Sequence, residues 1–219
     1  MDTTSPLWLP NRTAKLPPDI SYLREKYPRE TWDGHRNFGE TAAFWLQVHD
    51  MFRELGGMLK SSTATFREGA MQPDEFHRFF APRLGYFLNH MQGHHRIEDY
   101  QYFPMFHGLD KRLIVGFDLL EEDHEVIHEK LVASAETGQT FIEALQHEGD
   151  ARRFAADAYA QNADLLLDWL LRHLDDEEDL VVRAVALGEH LAELVGPAAV
   201  MLHDLVVDGR HRPPPLMAP

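Results

Sequence analysis

Two stretches of sequence decide the fold: His94-His95-Arg96-Ile97-Glu98-Asp99 and His173-Leu174-Asp175-Asp176-Glu177-Glu178. Each stretch places a glutamate four residues after a histidine. Residues four apart lie on the same face of an α-helix, one turn apart. Each stretch therefore directs an imidazole and a carboxylate toward one point. Two such helices facing each other would supply enough ligands to begin a two-metal site.

An internal repeat relates the two stretches. Shifting the numbering by 79 superposes three pairs of potential metal ligands: His49 and His128, His94 and His173, Glu98 and Glu177. Three coincident ligand types at one offset are stronger evidence than any one of them alone. The chain therefore has the pattern of a diverged duplication of a two-helix unit.

Composition excludes several classes of protein. The 219 residues include 21 Lys and Arg against 36 Asp and Glu, for a net charge of −15. This balance argues against a nucleic acid or an anionic membrane as partner. The absence of Cys excludes disulfides, iron–sulfur clusters and thiolate zinc sites. Fourteen His residues invite a search for metal ligands.

The chain divides into three predicted regions. A Pro-rich N-terminal extension covers residues 1–35, the main domain residues 36–186, and a C-terminal helix and tail residues 187–219. We expect the extension to pack along the outside of the domain; a mobile tail is the alternative. The chain begins without a secretory signal pattern, and its longest apolar run, residues 165–171, is too short to span a bilayer. We therefore expect a soluble, cytoplasmic protein.

Four long segments have apolar residues at helical spacing, at about residues 36–65, 72–107, 111–136 and 150–186, and a fifth helix is expected at about 189–207. Pro82 and Pro104 should kink the second helix or mark a local irregularity. Gly138 should end the third helix, and Thr140-Phe141-Ile142-Glu143 has the form of a capping box that would open a short helix. No segment alternates with period two. The predicted fold is all-α, an antiparallel up-down-up-down four-helix bundle.

The spacing of the candidate ligands also locates the site along the bundle. His49 to His94 and His128 to His173 are each 45 residues apart, whereas Glu98 and His124 are only 26 apart. In this topology the first and third connections lie at one end and the second connection at the other. We therefore expect the ligands to lie nearer the turn at residues 108–110.

The candidate metal ligands are five imidazoles and two carboxylates: His49, His94, Glu98, His124, His128, His173 and Glu177. Burying so many titratable groups costs several kcal/mol for each unpaired charge. Metal ions would remove this cost, and two carboxylates suffice to bridge two metals roughly 3.5 Å apart. A mixed nitrogen and oxygen set suits iron, manganese or zinc. His95 points about 100° away from His94, so we expect it to face solvent or a neighbouring helix.

The ordered pattern His, His-xxx-Glu, His-xxx-His, His-xxx-Glu resembles the hemerythrin family, also called the HHE cation-binding domain, over roughly residues 40–185. The resemblance implies a four-helix bundle holding two iron ions, bridged by two carboxylates and one oxo or hydroxo species. It would place His124, His128 and His173 on one iron, and His49 and His94 on the other. Glu98 and Glu177 would bridge, with Glu178 kept as a rival to Glu177.

The repeat also predicts where an open position lies. The 79-residue shift places His124 on Trp45, so an imidazole on one side corresponds to an indole on the other. The iron at His49 and His94 is then one ligand short, and its open position should lie beneath Trp45. Tyr102, on the inward stripe near Glu98, could donate a hydrogen bond to a ligand bound there, although packing is its default role.

Three functions compete at this stage. The first is reversible binding of dioxygen or a related small ligand by a carrier, store or sensor. The second is an enzyme that acts on peroxide or nitric oxide, or delivers iron for repair. The third is a structural or iron-storing module, for which zinc is an alternative metal. A dry apolar pocket would favour binding, whereas a polar channel with a proton donor such as Tyr102 would favour turnover.

Overall fold

The computed structural model describes residues 2–32, 40–108 and 110–187. Within these residues the secondary structure is helical and contains no strand. The helices are α1 (Leu23–Lys26), α2 (Glu40–Arg67), α3 (Pro73–Ile97), α4 (Phe103–His107), α5 (Ile114–Ala144) and α6 (Asp150–Leu187). A 3-10 turn spans Arg29–Thr31, and a π-helical turn spans Glu98–Tyr102. The prediction of an all-α bundle is confirmed. The expected helix at 189–207 lies outside the described residues.

The four long helices form a closed ring. Helix α2 packs against α3 and α6, and α5 packs against the same two helices. Residues 68–72 connect α2 to α3, and residues 145–149 connect α5 to α6. Such short loops force consecutive helices to run antiparallel. Pro73 occupies the first position of α3, with Asp74 and Glu75 in its first turn, which favours a helix start there.

The sequence predicted that the third long helix ends at Gly138. This prediction is wrong, because α5 continues to Ala144. The predicted short helix beginning near Thr140 is therefore part of α5. A Cβ at Gly138 would lie 2.4 Å from Cδ2 of Leu84 on α3. The glycine is required because two helices approach closely there, rather than because the chain turns.

The second long helix is irregular where Pro104 predicted it to be. Helix α3 passes into the π-helical turn at Glu98 and resumes as α4, with Pro104 in the first turn of α4. Proline is tolerated in that position because its missing N–H would lack a helical partner anyway. A π-helical turn holds more than four residues per turn, so it changes the directions of the side chains on either side of it. The turn begins at Glu98, one of the candidate ligands.

The hydrophobic core has two parts. The far core lies toward the two short loops and contains Phe66, Phe76 and Phe141; the near core lies toward residues 108–113 and contains Phe103, Phe106 and Phe117. The candidate ligands lie between these parts, since His49 is in the first half of α2 and His94 is close to the end of α3. This position agrees with the one expected from the ligand spacing.

The N-terminal extension packs against the bundle in the described range 2–32. Leu9 is buried in the far core, and Leu16, Ile20 and Leu23 are buried in the near core. Trp32 is also buried, and its Nε1 donates to the backbone carbonyl of Tyr27 at 3.0 Å. The extension therefore behaves as a packed part of the domain over these residues.

Candidate metal centre

Two groups of buried side chains could each hold a metal ion. The three-histidine group consists of His95, His124 and His173, and the mixed group of His49, His94, Glu98 and Glu177. Within each group, the potential ligand atoms all lie within 4.8 Å of one another. Helices α2, α3, α5 and α6 and the π-helical turn contribute these residues, so the groups span the whole cross-section of the bundle.

The two carboxylates lie between the groups. Oε2 of Glu177 is 3.5 Å from Nε2 of His49 and 3.5 Å from Nε2 of His173. Oε1 of Glu98 is 2.9 Å from Nε2 of His94, and its Oε2 is 3.5 Å from Nε2 of His124. Each carboxylate therefore faces one imidazole of each group, as a bridge between two metals requires.

Several of these polar atoms are buried without a hydrogen-bond partner. They are Nε2 of His49, both ring nitrogens of His94, Nε2 of His95, both oxygens of Glu98 and Oε2 of Glu177. Glu98 is 0% exposed. Buried polar groups are normally paired, because an unpaired one costs about 1–3 kcal/mol and a charged one more. Lone pairs of imidazole and carboxylate that converge in this way fit a pair of metal ions.

Carboxylates hold three of the imidazoles from behind. Nδ1 of His124 lies 2.6 Å from Oδ1 of Asp99, Nδ1 of His173 lies 3.3 Å from Oδ2 of Asp123, and Nδ1 of His49 lies 3.1 Å from Oε1 of Glu178. A carboxylate that accepts the Nδ1 proton leaves Nε2 as the lone-pair nitrogen and fixes the ring orientation. All three rings thus present Nε2 to the interior.

Burial and neighbouring charges shift the pKa values within the cluster in opposite directions. Burial lowers the pKa of His94 and His95 well below the usual 6.5, which keeps both imidazoles neutral and able to bind metal. Burial, together with the charge of Glu177, raises the pKa of Glu98 well above 4.5. Burial acts in the same sense on Glu177, but the charge of His49 and the nearby imidazole of His173 hold the pKa of Glu177 well below 4.5.

The structure brings six of the seven predicted ligands into the two groups and leaves out His128. His128 is exposed and lies outside both groups, whereas His95 is buried and its ring stacks on His124 at a centroid distance of 4.0 Å. The inner stripe of α5 continues through Ile127 rather than His128, because the apolar stripe alternates steps of three and four: Phe117, Leu120, His124, Ile127 and Leu131. The dipeptide His94-His95 was the available signal, since a bundle helix faces two neighbours at once.

Trp45 and Tyr102 lie on the side of the mixed group. The Trp45 ring contacts those of His94 and Tyr102, with centroid distances of 6.1 and 4.5 Å. Nε1 of Trp45 donates to Oε1 of Glu177 at 2.6 Å, a hydrogen bond that the sequence did not indicate. The Tyr102 hydroxyl is buried without a partner. Burial and the charge of Glu98 raise the pKa of Tyr102, so the phenol keeps its proton.

Glu178, the rival to Glu177, lies outside the mixed group. Its Oε1 accepts a bond from Nη1 of Arg53 at 2.7 Å as well as facing Nδ1 of His49, and its Oε2 accepts from Nη1 of Arg29 at 2.7 Å. These bonds direct both oxygens away from the interior. Glu177 is the residue that the structure places among the potential ligand atoms.

Such an arrangement defines a class of protein: a helical bundle with a cation site built into its core. A family model described as the hemerythrin HHE cation-binding domain matches residues 41–185. The chain belongs to the hemerythrin HHE cation-binding family, because this match covers more than half of its length. No curated protein and no solved structure gives a significant match.

Hydropathy gives one further finding. Among the residues that the structure describes, none of the helices combines the length and the apolar character needed to cross a membrane.

Proposed function

We propose that the protein holds two iron ions and binds dioxygen or a related small ligand at the mixed group. The observation that carries this proposal is the convergence of unpaired Nε2 and carboxylate oxygen atoms in two adjacent groups, with Glu98 and Glu177 between them. If Glu98 and Glu177 are shared by both metals, the metal at His49 and His94 would have two imidazoles and the metal at the three-histidine group three, so the former would be one ligand short. Iron would supply the ability to exchange electrons with dioxygen, which protein side chains lack.

The residues around the mixed group support binding rather than turnover, because the potential proton donor Tyr102 is buried and its raised pKa keeps the proton on the phenol. Trp45 donates its indole N–H to Glu177, and its apolar ring lies next to the rings of His49 and His94. Tyr102 is 1% exposed, and its hydroxyl has no hydrogen-bond partner. The hydroxyl is therefore free to donate a hydrogen bond to a bound ligand. Because its pKa is raised, it donates a hydrogen bond and does not release the proton. A retained proton and an apolar surrounding protect a bound small ligand.

Metal content tests the two-iron proposal. Wild-type protein expressed with iron should contain two irons per chain by elemental analysis and should absorb in the near ultraviolet in air. One metal, zinc or none would contradict the proposal and favour a structural module. Titration with dioxygen or nitric oxide then separates binding, which saturates and reverses, from turnover, which consumes the ligand.

A matched pair of variants tests the ligand set. His95→Ala should lose about one metal per chain, because it removes a buried imidazole from the three-histidine group. His128→Ala should keep both metals, because that side chain is exposed on the same helix as His124. The opposite result, loss in His128→Ala and retention in His95→Ala, would restore the ligand set expected from sequence.

A further inference from the structure

The N-terminal extension crosses the bundle at the level of the metal ligands. Leu9 is buried in the far core and Leu16 in the near core, so the chain between them spans the polar layer. Arg12 occurs in this span and is 2% exposed. A guanidinium is seldom buried so deeply unless it is paired.

Arg12 is paired with carboxylates from two helices. Its Nη2 donates to Oδ2 of Asp123 on α5, and its Nε lies 3.0 Å from Oδ2 of Asp176 on α6. Nη1 donates to the backbone carbonyl of Leu7 at 2.6 Å. The guanidinium is therefore fixed from both the extension and the bundle.

Asp123 connects Arg12 to the three-histidine group. The oxygen that accepts from Arg12, Oδ2, also lies 3.3 Å from Nδ1 of His173. A carboxylate on the outer nitrogen of a metal-binding imidazole fixes the ring and its tautomer, and replacing such a partner typically weakens metal binding about 10- to 100-fold. Holding Asp123 in place thus bears directly on how His173 presents Nε2.

The mixed group has a separate arrangement of the same kind. Arg53, on α2, donates to Oε1 of Glu178, the oxygen that faces Nδ1 of His49, whereas Arg29 of the extension donates to the other oxygen, Oε2. By contrast, Arg24 bonds Asp179 at 2.7 Å and ties the extension to α6 without contacting a carboxylate that holds an imidazole. Variants of Arg12 and Arg53 therefore test the positioning of a metal ligand, whereas a variant of Arg24 tests only the attachment of the extension to the bundle.

We propose that Arg12 is a positioning residue for the three-histidine group, through which the N-terminal extension retains one of the two metals. It acts by holding Asp123 against His173 and does not itself contact the metal. The inference rests on the proposed two-metal centre and goes beyond it, because it gives the extension a part in the site.

Release of metal to a chelator tests this role. The full chain is loaded anaerobically with Fe²⁺ and mixed with an excess of a chromogenic ferrous chelator, for wild type, Arg12→Gln, Arg12→Lys, Arg24→Gln and Arg53→Gln. Arg12→Gln should release one of its two equivalents about 10- to 100-fold faster than wild type. Arg53→Gln should accelerate the other equivalent. Arg12→Lys, which keeps the charge, should recover part of the slow release, and Arg24→Gln should match wild type.

Further variants identify the equivalents. His95→Ala should lack the equivalent that Arg12→Gln accelerates, and His49→Ala the one that Arg53→Gln accelerates. Equal acceleration of both equivalents in Arg12→Gln, or the same acceleration in Arg24→Gln, would mean that the extension only adds stability and would overturn the inference. Release from Arg12→Gln at the wild-type rate would overturn it as well. Wild-type protein without two metals would overturn the proposed function together with this inference.

Discussion

The hydroxyl of Tyr102 is a buried donor without a partner, and replacing it has a predictable sign. Tyr102→Phe should raise the free energy of unfolding of the metal-free protein by about 1 kcal/mol, because it removes an unsatisfied polar group. In the loaded protein it should speed ligand release. Urea unfolding measures the first effect and stopped-flow spectroscopy the second. Tyr22→Phe is the control of opposite sign, since that hydroxyl donates to Asp110 at 2.8 Å; destabilisation of Tyr102→Phe would show a hidden partner.

Proton release on metal binding is a second prediction at the scale of single residues. Burial opposes the charged form of His173, but the neighbouring carboxylates of Asp123 and Glu177 prevail and raise its pKa from 6.5 to about 9. In the metal-free protein this interaction adds stability that is complete below pH 6.5 and is lost as the pH rises through about 9. Metal requires a neutral imidazole. Loading at pH 7 should therefore release at least one proton per chain, measured with an indicator dye.

The number of protons released per chain should fall as the loading pH approaches 9, because a growing share of His173 is then already neutral before metal binds. Asp123→Asn removes the carboxylate that faces Nδ1 of His173 and favours its protonated form. This variant should therefore release fewer protons than wild type when it is loaded with metal at pH 7. Equal release from both proteins at every pH would contradict the assignment to His173.

Most of the candidate ligands could be predicted from sequence, and the exceptions have a physical reason. Four-residue spacing places His94 with Glu98 and His173 with Glu177 on common helix faces, and the structure brings all four to the site. Where the apolar stripe shifts gradually around a helix, spacing alone does not show which of two candidate residues beside it faces inward. For this reason His128 was predicted as a ligand, and His95 was not.

At the scale of helices, replacing two glycines by alanine should change the free energy of unfolding in opposite directions. Gly138→Ala should lower the free energy of unfolding by about 1–3 kcal/mol, because its Cβ would lie 2.4 Å from Cδ2 of Leu84 between packed helices. Gly57→Ala, on α2 with nothing within 4 Å of the added Cβ, should raise it by up to about 1 kcal/mol through helix propensity. Chemical denaturation measures both. A gain in stability in Gly138→Ala would show that Leu84 moves freely.

The helix boundaries were predictable where capping or loop chemistry set them. The predicted fourth helix, about 150–186, agrees with α6 at Asp150–Leu187. The third was predicted to end at Gly138, because a glycine that permits close packing and one that ends a helix look the same in sequence. The π-helical turn at Glu98–Tyr102 was visible only as an irregularity near Pro104, since π-helical turns have no local signature comparable to a cap.

For the whole molecule, removal of metal should weaken the middle of the bundle selectively. The ligands separate the near core from the far core, and without metal their unpaired atoms remain buried in that layer. Metal at 100 times its dissociation constant adds about 2.7 kcal/mol. Chelation should lower the thermal midpoint and speed hydrogen exchange around His49, His94, His124 and His173. Exchange near Phe76 in the far core should change least, and uniform acceleration would contradict this view.

The position of Arg12 has a consequence for the order in which the protein is made. Its partner Asp123 is 111 residues further along the chain, and Asp176 follows later still. During synthesis the segment around Arg12 emerges first and must wait until both partners have left the ribosome, since domains are made from the N-terminus. The potential ligands His173 and Glu177 are also synthesised late. We therefore expect metal to be loaded only after residues 173–177 have been synthesised, when both carboxylate partners of Arg12 are also present.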